Sequence, residues 1–222
     1  MKRIVFILFL LSLTQFSCKT QQIILSDINS LPNIKLKKDS LFKKNIEYLV
    51  EEIEFMYGYD QIIREYTTFK TFDKSETDRI ENLSDSLRKI EMRNRKFLSD
   101  SIRKTIWRNY INPKDNEHTI RMMEITRKYG FPSINRIKKH YHQEFIDPEF
   151  NPLILLIHSP KEHWNELKII MKQELKEERI SKCTYGYVLW HITGRKSLQP
   201  MLDNGFEMVE NNGKTILKST CK

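Results

Sequence analysis

Ionisable residues interrupt several apolar helix stripes in this sequence. Ile46, Leu49, Ile53, Met56 and Ile63 mark one helical face, and the stripe position between the last two is Asp60. Arg64 follows one turn on, the i, i+4 spacing of a local ion pair, and Gln61 stands beside the carboxylate. Counting back from Tyr129 through Ile125 and Met122 reaches His118 and then Asp115. His158 closes the apolar run Leu153-Ile154-Leu155-Leu156-Ile157, and His191 follows Tyr187 by four on the face of Val188. A charge taken out of water is costly unless it is paired, so groups on core-facing positions must find one another or solvent. If the stripes converge, Asp60, Gln61, Arg64, His118, His158, Tyr187 and His191 line one pocket. A histidine near a carboxylate there can serve as general acid or base near neutral pH. The alternative is that each residue caps a helix or satisfies a buried carbonyl on its own.

The elements that must position these residues read as helices. Only 6 Gly and 7 Pro punctuate 222 residues, which disfavours a sheet rich in tight turns. The expected fold class is all-α: an irregular helical bundle with a long N-terminal helical hairpin. Its first arm runs from Leu41 to about Phe69. The second covers 75–110, with Ile80, Leu83, Leu87, Ile90 and Phe97 at nearly heptad spacing. Asn112-Pro113 reads as an N-cap followed by proline at the first helical position, and Gly130 as the stop after Tyr129. A shorter segment starts at Phe131-Pro132-Ser133; helices follow from about Pro148 to His158 and from about Lys161 to Glu178. Ser181 caps a last helix, and the polar tail from Asp203 pairs as a hairpin around Asn212-Gly213.

Familiar catalytic signatures are absent. There is no nucleophile elbow, phosphate-binding loop or His-Glu-x-x-His pair. His140-Tyr141-His142 has no third ligand nearby and reads as a surface stretch; His163 and Trp164 read as surface and core of an amphipathic helix. Neither a metal nor a cofactor is expected.

The N-terminus suggests where such a domain would act. Met1-Lys2-Arg3 precedes an apolar run from Ile4 to Leu13 broken only by Ser12, the pattern of a secretory signal. That run is half of the roughly 20 residues a spanning helix needs. Ser17-Cys18 resembles the lipobox of bacterial lipoproteins, although Gln15 stands where an aliphatic residue is usual; ordinary cleavage and secretion is the alternative. The expected organisation is a signal peptide over 1–17, lipidated Cys18 and a tether over 18–40, a helical domain over 41–202, and a tail over 203–222. The expected location is a bacterial membrane facing the periplasm or the cell surface, reached through an acyl anchor. Loss of 1–17 removes Lys2 and Arg3 and lowers the formal charge from +9 to +7. Without a basic stripe bearing base-reading residues, this modest excess does not point to nucleic acid. With Cys18 acylated, Cys183 and Cys221 remain, either as a disulfide or as one buried and one loose thiol.

Three motifs resemble the bacterial domain-of-unknown-function family 6624. They are Asp60-Gln61-Ile62-Ile63-Arg64; Asp115-Asn116-Glu117-His118-Thr119 leading to Gly130-Phe131-Pro132; and Ile157-His158-Ser159-Pro160. His118 stands in for the family's Asn and Phe131 for its Trp, and Tyr187 is followed by Trp190-His191 where the family has Asp-Arg. The resemblance covers roughly 45–200 and implies a helical fold with a shared polar cluster, without an established activity. The leading expectation is an envelope lipoprotein binding a small ligand or an envelope protein around Asp60, Arg64 and His158. The runner-up is a hydrolase-like enzyme with His158 or His118 as acid or base. A structural spacer is the third reading.

Overall fold

Burial follows one stripe of each principal helix. The structure is a computed structural model and describes residues 35–95, 98–211 and 213–221. The signal segment 1–17, Cys18, the tether as far as 34, Phe97 and Asn212 lie outside the described residues. The fold is all-α, and among the described residues the one sheet is a two-stranded hairpin. None of the described helices is long and apolar enough to cross a membrane.

Helix α1 covers 35–44, within the stretch expected to be tether up to residue 40. Phe42 explains the difference. It is buried, and the Arg136 guanidinium lies 3.9 Å from its ring centroid while bonding Asp39. That contact docks the segment onto the domain.

Helix α2 (Ile46–Phe69) buries Ile46, Leu49, Val50, Ile53, Met56 and Tyr57, then Asp60 in register with them. Full burial of each such apolar side chain contributes about 1.5–3 kcal/mol, so this face is committed to the core. The chain then turns back on α2, but not as one long helix. It forms α3 (Lys74–Glu81), α4 (Asp85–Asn94) and α5 (Asp100–Ile106). Asp73 and Ser99 accept backbone N–H bonds that start α3 and α5, and Ser84 precedes α4. Ile80 is buried, whereas Leu87 and Ile90 are exposed, so the near-heptad spacing is not a continuous packing seam.

A π-helical turn, Trp107–Ile111, runs from α5 into α6 (Asn112–Tyr129). Asn112 is therefore not an N-cap. Its N–H reaches five residues back to the Trp107 carbonyl, and Pro113 lies inside a continuous helical path. Proline lacks an N–H and its ring clashes with the carbonyl four residues earlier; the widened π turn accommodates both effects. Arg121 of α6 clamps Glu52 of α2 through Nε (2.6 Å) and Nη2 (2.9 Å), holding the two long helices together.

Gly130 ends α6 at φ 76°, and a Cβ there would lie 2.5 Å from the Arg179 side chain. Helix α7 (Ile134–His140) follows. Helix α8 (Leu153–Ile157) is shorter than the expected 148–158, because Asp147 and Asn151 take local backbone N–H bonds before it. A 3₁₀ turn, Lys161–His163, leads into α9 (Trp164–Lys176). Helix α10 (Lys182–Ile192) is capped by Ser181, whose side chain accepts from Thr184 N–H. After α11 (Gln199–Leu202), strands β1 (Phe206–Asn211) and β2 (Lys214–Ser219) pair antiparallel with Asn211 opposite Lys214. A Cys183–Cys221 disulfide ties the end of this hairpin to the start of α10.

Candidate functional site

Asp60 is the centre of the polar cluster. It is buried, and three side chains converge on its carboxylate. Arg64, one turn along α2, donates Nε–H to Oδ1 at 2.9 Å, and Gln61 donates its amide to Oδ2 at 2.8 Å. His158, just past the end of α8, brings Nδ1 to 3.1 Å from Oδ2. Arg64 also bonds Asp115 of α6 through Nη2, so one guanidinium bridges two carboxylates from two helices. The Trp107 ring, at the start of the π turn, lies 5.2 Å from that guanidinium. The π turn thus lets one continuous path supply both Trp107 and Asp115.

The electrostatics follow from this packing. Burial by itself would raise the Asp60 carboxyl, but the His158 hydrogen bond and charge, then Arg64, outweigh it and hold the group below the usual carboxylate range. Asp115 goes the other way, because burial outweighs the attraction of Arg64 and pushes its carboxyl up. An imidazole that donates Nδ1–H to the Asp60 carboxylate turns its Nε2 to the opposite side of the ring. Arg64 and Gln61 also line an open cleft of about 220 Å³ with Tyr57, Lys74 and Glu149. A wider groove, about 480 Å³, runs along a neighbouring face of α2 and contains none of the cluster.

Of the predicted set, Asp60, Gln61, Arg64 and His158 meet directly. His118 is buried one turn beyond Asp115, its ring edge-on to Tyr59, and its Nδ1 has no hydrogen-bond partner among the described residues. Burial pushes its pKa down. Tyr187 and His191 pack on each other and on Trp190, their own ring centroids 4.6 Å apart. Burial, with Arg195 and then His158 adding repulsion, lowers the His191 pKa to about 4. None of these three bonds to the cluster: His118 feels the Asp60 and Arg64 charges, His191 that of His158, and Tyr187 packs on His191.

Two members were not among the predicted set. Asp115 stands out on the stripe of His118 in the sequence but is not placed in the expected pocket; Trp107 carries no sequence signal that points to Arg64. Asp60, Asp115 and His158 each offer a ligand atom, all within 4.8 Å of one another, a metal-like spacing that residue spacing along the chain does not reveal. Arg64 already compensates both carboxylates, so a cation would have to displace the guanidinium. Among the described residues no Ser, Thr or Cys bonds His158, so the arrangement offers a base without an attached nucleophile. Compared with family models, curated proteins and solved structures, the chain matches none.

Proposed function

We propose that this chain is an exported envelope lipoprotein whose helical domain binds a small ligand or a protein partner at the Asp60–Arg64–Asp115–His158 cluster. The observation that carries the reading is the convergence of these side chains from α2, α6 and the end of α8. Such a buried charged network costs stability compared with an apolar core, so its retention favours a use. The three family 6624 motifs contribute Asp60, Arg64, Asp115 and His158, and we take that resemblance as part of the same proposal. Screening ligands by NMR against the native chain and His158→Gln tests it. Ligands of this site lose at least about tenfold in affinity in the variant; equal binding to both proteins sinks the reading.

A second reading rests on one specific feature, the Asp60-oriented imidazole. As a general base, His158 would take a proton from an attacking water at Nε2 while Asp60 holds the imidazolium. His158→Gln would then lower turnover by about 10²–10⁴ with little change in binding, a split that simple recognition does not produce. For the anchor, palmitate labelling that vanishes in Cys18→Ser is the expected result.

A further inference from the structure

The outer face of α2 carries a second feature beside the polar cluster. Tyr48, Phe55 and Ile62 recur every seven residues, the spacing of a helix-pairing seam, and all three are exposed. Phe55 is 75% exposed and Ile146, on the loop beside it, 92%. Gly58 sits between Phe55 and Ile62, and a Cβ there would meet nothing within 4 Å. The missing side chain deepens the groove floor, which Phe55, Tyr59, Ile62 and Ile146 line. Phe72 extends it at the far end. The loop wall is built in, because Ile146 donates its N–H to Glu54 at 2.8 Å.

The rim identifies the occupant. Among the described residues Glu51, Glu54, Glu65, Asp78 and Asp147 edge the groove against one lysine, Lys74, on a chain whose net charge is +9. Lys74 pairs with Asp78 and Asp147, which leaves a net acidic rim led by Glu51, Glu54 and Glu65. A second copy docking by the same face would set these carboxylates against their equivalents. An anionic bilayer would be repelled in the same way. A helix with an apolar stripe and basic flanks satisfies both the floor and the rim. From Tyr48 to Ile62 the seam is roughly 21 Å long at 1.5 Å per residue, which suits a partner of about four turns.

We propose that this groove is a docking site for a basic amphipathic helix of another protein, laid along α2. The probe is a fluorescent 18-residue Leu/Lys amphipathic peptide, titrated against the purified chain by anisotropy, with a Leu/Glu peptide of the same apolar pattern as control. The Leu/Lys peptide is expected to bind at least about tenfold more tightly and to weaken as salt is raised. Gly58→Leu is expected to cost at least about tenfold in affinity without lowering Tm, because the new side chain enters open space. Equal binding of both peptides, no binding, or unchanged affinity in Gly58→Leu overturns the proposal. So does binding to phosphatidylglycerol vesicles that Phe55→Ser abolishes while peptide binding persists, or a dimer that Gly58→Leu dissociates.

Discussion

Replacing Arg64 by Met leaves the Asp60 and Asp115 carboxylates buried without their shared cation, and is expected to cost about 3–5 kcal/mol in urea unfolding. Adding Asp115→Asn should recover part of that loss, because one of the two stranded charges is gone; strictly additive losses would mean that the bridge is not what holds them. His191 gives a pH signature. Its folded pKa, pushed down to about 4 by burial, lies below the ordinary 6.5, so the unfolded chain takes up the proton first. Stability from its neutral form is therefore complete above about pH 6.5 and falls as pH drops towards 4. Tm measured across that window should decline less steeply in His191→Gln than in the native protein. At this scale much was legible: Asp60 betrays itself by standing on an apolar stripe, Arg64 by its i, i+4 spacing from that carboxylate, and His158 by closing an apolar run. Trp107 does not, since its contact with Arg64 depends on a π turn that no local preference announces.

Among the elements, the break after α6 is the most constrained. Gly130 combines positive φ with an Arg179 side chain where a Cβ would lie, and Glu174 accepts both from that arginine and from Phe131 N–H. Gly130→Ala is expected to destabilise the fold by about 1–3 kcal/mol from backbone strain, plus the displacement of Arg179. Differential scanning calorimetry would detect it; an unchanged Tm would mean that the turn relaxes freely. Helix ends with strong local chemistry were readable in advance, as at Gly130 and Ser181. The stretch 75–110 misled because a hydrophobic repeat says which positions could pack together, not whether a partner surface reaches them. Leu87 and Ile90 are exposed, and the segment is divided between Glu81 and Asp85 and again at the Ser99 cap.

For the molecule as a whole, the Cys183–Cys221 bridge is the link between the C-terminal hairpin and the helical domain that reduction would cut. It spans 38 residues of sequence. On the chain-entropy account, closing such a loop adds about 4 kcal/mol to stability. Reduction is expected to expose β1 and β2 to limited proteolysis while far-UV circular dichroism keeps its helical signal. Complete loss of helicity on reduction would show instead that the hairpin is integral to the core. The sequence by itself determined the all-α class, the positions of the main buried stripes and the residues out of keeping with them. Those follow from local periodicity and capping, which act within a few turns of chain. Only the tertiary structure decided that Asp60, Asp115 and His158 meet across three elements, and that Arg64 rather than a helix-end N–H compensates both carboxylates. Such meetings depend on how helices cross, and that is set by packing between segments as many as 98 residues apart.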